Sequence, residues 1–235
     1  MESKKDTVYH KKQASYHDKR NILNKAHLIE PIIRHRIQDS IFYKQYLFLS
    51  NESTILPIII DQVKYIFGTE SNGRPSPFLC CLLRLLELEP KKEIIGAYLT
   101  QMGYNEFKYL TALSLIYIRL VYPSQEIYEI FDGYFKDSRK LRMKLKSPIF
   151  DEKSGLPVRY KLTHMDEWVD HLLTKERVID IILPRLIPRI VFVQQDILPP
   201  RKYHIQETSK VEIDSDESEP EEEEAENDSY ESDSD

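Results

Sequence analysis

EFKYLTALSLIYIRLVY, residues 106–122, is apolar on almost every side of a helical projection. Phe107, Leu110, Leu113, Ile116, Tyr117 and Leu120 recur at three- and four-residue steps, and most residues between them are apolar too. A surface helix carries one apolar stripe, whereas a helix with no polar face must be surrounded by other elements. Arg119 ends the apolar run well short of the roughly 20 residues a membrane span requires. The segment therefore reads as the central helix of a helical domain, and the rest of the chain must supply what covers it.

Candidates for that cover lie on both sides. In LIEPIIRHRIQDSIFYKQYLF (28–48), Ile29, Ile32, Ile33, Ile37 and Ile41 form a stripe, Pro31 suits a first helical turn, and Ser40 is placed to cap or bend the helix near its middle. STILPIIIDQVKYIF (53–67) offers Ser53 or Thr54 as N-cap, a face of Ile55, Ile58, Ile59, Gln62, Val63 and Ile66, and an end at Gly68. Ser76 or Pro77 opens PFLCCLLRLLEL (77–88), polar only at Arg84 and Glu87, and Pro90 stops it. KKEIIGAYLTQM (91–102) follows; after the central helix, Pro123 is a breaker and Ser124 a cap for QEIYEIFDGYFKDSRKL (125–141). Residues 142–162, with Pro148, Gly155 and Pro157, predict a small hairpin. Thr163 and Asp166 resemble a capping box for HMDEWVDHLL (164–173), and ERVIDIILPRLIPRIVFVQQ runs on to Pro199 and Pro200. The expected fold is all-α: one compact multi-helix domain with a small β-hairpin insertion.

Charge divides the chain. Residues 207–235 hold 15 acidic groups and one lysine, a net of −14, so the formal total of −6 leaves +8 for residues 1–206. The organisation read from this is a flexible basic arm (1–26), a helical domain (27–206) and a disordered acidic tail (207–235) too poor in apolar residues to fold. In the tail, Ser218 and Ser232 each have an acidic residue three places on, the pattern acidophilic kinases favour. Cys80 and Cys81 are adjacent and the chain has no third cysteine, which points to a reducing compartment. The polar, lysine-rich start has no apolar core of a signal peptide.

Catalytic chemistry finds little purchase. GTESNGRPSP (68–77) has two glycines at phosphate-loop spacing, but Arg74 stands where the lysine belongs and Pro75 where a hydroxyl is needed on Mg²⁺. The preceding VKYIF also follows a helical period, so the stretch reads as a loop between helices. His164, Glu167, Asp170 and His171 share a helix at metal-compatible spacing, yet Met165, Trp168, Val169, Leu172 and Leu173 form its apolar stripe. The carboxylates then face away from it, as a solvated face or as an acidic surface for a basic partner. No nucleophile elbow or H-E-x-x-H is present, and neither an enzyme nor a cofactor is expected. Tyr43, Tyr46, Tyr117, Tyr122, Tyr128 and Tyr134 lie near basic residues, which keeps direct RNA binding by the arm and the basic body as an alternative.

Taken together, IIRHRIQDSIFYK (32–44), RPSPFLCCLLRLLELEPKKEII (74–95), FKYLTALSLIYIRL (107–120), MDEWVDHLL (165–173) and ERVIDIILPRL (176–186) resemble, in order and spacing, the pre-mRNA-processing factor 38 family of splicing proteins. The resemblance covers roughly residues 27–200. The short chain with an acidic tail looks more like a fungal member. What the resemblance implies is a helical scaffold without catalytic activity, nuclear, in the precatalytic spliceosome and needed for its activation, when U4 is unwound from U6. It implies partners of the microfibril-associated-protein-1 type, a zinc-finger protein of the tri-snRNP, and the U4/U6.U5 snRNP. The acidic face Asp166, Glu167 and Asp170, with Arg185 and Arg189, is the expected set of partner contacts.

Overall fold

Pro31 has no N–H and a fixed φ, and it occupies the first position of α1 (Pro31–Asp39), where an intrahelical donor is not needed. In the computed structural model, which describes residues 24–103, 106–150 and 155–201, Ser40 ends this helix. Its hydroxyl donates to the Ile37 carbonyl at 2.6 Å and accepts the Tyr43 N–H at 3.2 Å, closing α1 and starting the π-helical turn Tyr43–Leu47. The next helix, α2 (Ile55–Gln62), has no side-chain bond from Thr54 at its cap. Asn51 does that work instead, accepting the Ser53 and Thr54 amides at 3.0 and 2.9 Å.

α2 also ends six residues before Gly68. VKYIF is not helical: Ile66 donates to the Arg142 carbonyl at 2.8 Å and accepts the Lys144 amide at 3.0 Å, a parallel bridge to a distant strand. Long-range pairing overrides the local period here. One of the two arguments against a phosphate loop thereby falls, and the other, the chemistry of Arg74 and Pro75, stands.

α3 (Pro77–Leu88) begins as expected. Ser76 Oγ accepts the Leu79 amide at 3.2 Å, Pro77 takes the first position, and the helix stops at Glu89 in the left-handed region ahead of Pro90. Its two polar residues are both occupied by α1 and the residues that follow it. Arg84 donates to the Ser50 carbonyl and pairs with Glu87 at 3.2 Å, and Glu87 accepts from the Tyr43 hydroxyl and from Gln38 at 3.1 Å. α4 (Lys92–Thr100) leads to the central helix α5 (Lys108–Val121), of which every residue from Leu110 to Leu120 is buried. Two of its groups bond to a later segment of the chain. Arg119 Nε donates to the Leu172 carbonyl at 2.7 Å, and the Ala112 carbonyl accepts Trp168 Nε1 at 3.1 Å.

α6 (Ser124–Asp132) is shorter than its apolar period predicted and passes into a 3₁₀ turn, Gly133–Lys136. Ser124 is the first helical residue rather than a cap, since its hydroxyl accepts the Ile187 amide at 3.1 Å. The hairpin is present: β1 (Lys140–Phe150) pairs antiparallel with β2 (Pro157–His164), with a register shift between Lys144 and Ile149. α7 (Met165–Thr174) buries Met165, Trp168, Val169 and Leu172, with Trp168 edge-on to Phe78 at 6.1 Å. The capping box does not form, because the Thr163 hydroxyl donates to Glu167 at 2.6 Å rather than serving the helix amides. A second, minimal hairpin, β3 (Arg177–Val178) with β4 (Ile181–Ile182), and a short α8 (Arg189–Gln194) complete the body.

The architecture is thus mostly helical with small antiparallel sheets, and the described residues belong to one unit with a continuous core. Among them, no helix is long and apolar enough to cross a membrane. The arm before Asn24 and the tail, with Ser218 and Ser232, lie outside the described residues.

Candidate protein-interaction site

Apart from the Thr69 amide, which donates to Asp180, the bonded amides of loop 68–77 serve the loop itself. Glu70 donates to the Arg74 carbonyl, Gly73 to Glu70 and Ser76 to Gly68, at 2.8 to 2.9 Å, with Gly73 in the left-handed region at φ +82°. These N–H groups do not converge on a phosphate. The loop instead forms one wall of a groove of about 830 Å³ whose other wall is α1 and the turn after it, with Arg36, Ile41, Phe42, Tyr65, Arg74 and Pro75 in the lining.

Beside this groove the stripe predicted for the first helix divides. Ile29 and Ile37 are in the core, whereas Ile32 is 67% and Ile41 78% exposed, and Phe48 and Leu49 stand out beyond them at 62% and 89%. Within α1 itself only Ile37 is buried, and Ile41 follows the break at Ser40, so residues in one periodic stripe end on two faces. Ile41 lines the groove itself, with Phe42 and Tyr65, and an open groove with exposed apolar lining is the geometry that receives an amphipathic helix. Periodicity had assigned Ile32 and Ile41 to the core, and nothing in the period distinguishes a stripe that meets the core from one that awaits a partner.

The predicted contact residues fall elsewhere, around α7 and α8. Glu167 is exposed, and the Thr163 hydroxyl, with His164 beside it, holds its carboxyl below the ordinary carboxylate value. Asp166 is half-buried over the end of the 3₁₀ turn, its amide donating to the Asp137 carbonyl at 3.1 Å. Asp170 pairs with Arg201 at 3.3 Å, and that guanidinium lies 4.2 Å from the Phe135 ring. Arg189 grips Asp132 with two bonds of 2.6 Å and also donates to the Pro199 carbonyl, stacked over Tyr128. The segment 199–201 thus joins the Asp170 and Arg189 environments on one flank. Arg185 is exposed on the connection from β4 to α8. Burial, with Lys175 nearby, pushes His171 below its ordinary value. His164, Glu167, Asp170 and His171 do not gather as a metal set, and no such group occurs among the described residues. Both cysteine thiols are pushed up by burial, Cys80 to about 12, and are packing groups rather than nucleophiles.

A mostly helical body with an open groove and exposed large apolar side chains has the surfaces of a protein-interaction module. The PRP38 family model matches residues 18–196, and the chain belongs to the PRP38 family. It is 39% identical over 173 residues to pre-mRNA-splicing factor 38 of Schizosaccharomyces pombe, covering 74% of this chain and 75% of that one. To pre-mRNA-splicing factor 38A of Xenopus tropicalis it is 33% identical over 188 residues, covering 78% of this chain and 55% of the relative, so it spans about half the length of such animal proteins. Among solved structures, one chain of the crystal structure of the Snu23-Prp38-MFAP1(217-258) complex of Chaetomium thermophilum matches at TM-score 0.69 and 38% identity, over 78% of this chain and 89% of that one.

Proposed function

We propose that this protein is a non-enzymatic scaffold of the precatalytic spliceosome, acting in the nucleus, that holds helical segments of other splicing proteins during activation and U4/U6 unwinding. Its partners in this reading are a Snu23-type protein, an MFAP1-type helical segment and, through them, the U4/U6.U5 snRNP. Support comes from the family and from the relative seen in complex with Snu23 and MFAP1. The observation that carries it is the open groove between α1 and loop 68–77, lined by the exposed Ile41 with Phe42 and Tyr65, on a surface that also exposes Ile32, Phe48 and Leu49. Burying side chains of that kind is worth about 1.5–3 kcal/mol each, enough to anchor a helix. The α7–α8 flank, with Asp166, Glu167, Asp170, Arg185 and Arg189, is proposed as the second contact. There Glu167 and Arg185 are exposed, whereas Asp170 and Arg189 hold internal partners.

Calorimetric titration of the full chain with a purified Snu23-type protein and an MFAP1-type segment tests the reading. The Ile41→Glu, Leu49→Glu double variant is expected to weaken one of the two by more than about tenfold, with an unchanged melting temperature. Unaltered affinity for both would remove the groove from the interface. Failure of either protein to bind the unmodified chain would remove the scaffold reading.

A further inference from the structure

Among the described residues, the hairpin β1–β2 leaves one long edge bare. Ile66 exchanges both backbone bonds with Arg142 and Lys144, so the groups of Met143 turn the other way, toward β2. Met143 stands opposite Lys161, which places the Lys161 amide and carbonyl against β1 and points those of Tyr160 and Leu162 outward. The sheet has two strands, and no backbone group among the described residues reaches that outer edge. Residues 157–162 are all exposed.

The side chains along this edge sort by face. Val158, Tyr160 and Leu162, each more than 40% exposed, line one side, and Arg159 and Lys161 line the other. The described parts of both strands hold Lys140, Arg142, Lys144, Lys146, Arg159 and Lys161 and no carboxylate. Lys144 and Lys146 are paired with Glu70 and Asp180, whereas Arg159 and Lys161 have no ion pair among the described residues. We propose that the outer edge of β2 takes an extended segment of a partner protein in which apolar and acidic residues alternate, added as a third strand. Its apolar side chains lie against Val158, Tyr160 and Leu162, its carboxylates against Arg159 and Lys161, and its backbone bonds to Tyr160 and Leu162.

Charge excludes a second copy of this chain from that position, because antiparallel self-pairing sets Arg159 and Lys161 of both copies side by side. RNA phosphates satisfy the cations but leave the apolar row and the backbone edge unused. An alternating acidic strand uses all three.

The test uses the full chain and a fluorescein-labelled eight-residue peptide alternating valine and glutamate, followed by anisotropy and by hydrogen exchange. Saturable binding is expected, with the Tyr160 and Leu162 amides gaining protection while the Lys161 amide, already bonded to β1, does not change. Methylating alternate peptide nitrogens, replacing its glutamates by lysines, or the Arg159→Glu, Lys161→Glu variant should each weaken binding by about tenfold or more. Leu162→Pro removes only an outward N–H and should do the same, and the methylated peptide gives the same answer without altering the protein. Equal binding of the methylated peptide, no added protection at Tyr160 and Leu162, or binding of a single-stranded RNA octamer in place of the peptide would each overturn the proposal.

Discussion

At the scale of single residues, Gly68 is required by contact rather than by conformation. A Cβ on it would meet the Ile179 carbonyl oxygen at 2.5 Å, where the Ile179–Asp180 turn lies against the chain. The same turn is fastened by Asp180, whose carboxylate accepts the Thr69 amide and hydroxyl at 2.9 Å each and pairs with Lys146 at 2.6 Å. Burial opposes the charge on Asp180, but these bonds win and hold its carboxyl below the ordinary value. Gly68→Ala is therefore expected to cost about 1–3 kcal/mol through a forced backbone shift, lowering the melting temperature by several degrees; an unchanged melt would show that the turn gives way freely. The buried thiols and phenols set a second expectation. Burial raises Cys80 and, with Glu87 beside it, Tyr43 to about 12, so the folded state keeps protons that the unfolded state releases. Their contribution is complete below the ordinary thiol and phenol values and is lost as pH climbs through 9 toward 12. Thermal melts from pH 7 to 11 should show stability falling on the alkaline side, and at pH 8 a thiol reagent should label Cys80 and Cys81 only after denaturation. Rapid labelling of the native protein would contradict the burial.

At the scale of elements, legibility follows how local each cause is. α3 and α5 could be read because Ser76, Pro77, Pro90 and Pro123 mark their ends and their apolar surfaces face a core on all sides. β3–β4 could not, because its two-residue turn sets Ile179 and Asp180 at φ 46° and 67°, where such turns call for asparagine and glycine. α2 and α6 were read too long for a different reason. Ile66 is recruited by Arg142 and Lys144, and Lys140 and Leu141 at the end of the segment read as α6 pair with His164 and Thr163 in the hairpin, and neither set of partners is visible in a local period. The flank at α8 likewise rests on long-range bonds. Six residues are too few for a helix to stand alone, so α8 depends on the fork of Arg189 on Asp132 and Pro199. Lysine keeps the charge and loses the fork. Arg189→Lys should therefore speed amide exchange across 189–201 by about tenfold or more, with little change in α5. Uniform exchange behaviour across the body would show that apolar packing alone seats α8.

At the scale of the molecule, the groove beside α1 shows why function is less legible than fold. The family blocks could be recognised, but the groove that Ile41 lines depends on where loop 68–77 stands against α1, and a local period does not fix that. Charge is the property that can be argued for the entire chain without geometry. Residues 207–235 carry −14 of a chain whose total is −6, so deleting them reverses the sign to +8. Attraction to polyanions follows the net field at long range and the number of phosphates neutralised at contact, and both weaken as salt rises. The truncated protein should elute from heparin at clearly higher salt than the full chain and should bind single-stranded RNA with a steep salt dependence, while its melting temperature stays within a few degrees. If elution does not move, the body's cations are neutralised where they stand, as Lys144 is by Glu70 and Arg189 by Asp132. In that case direct RNA binding by the body loses its electrostatic basis, and recognition rests on the packed grooves.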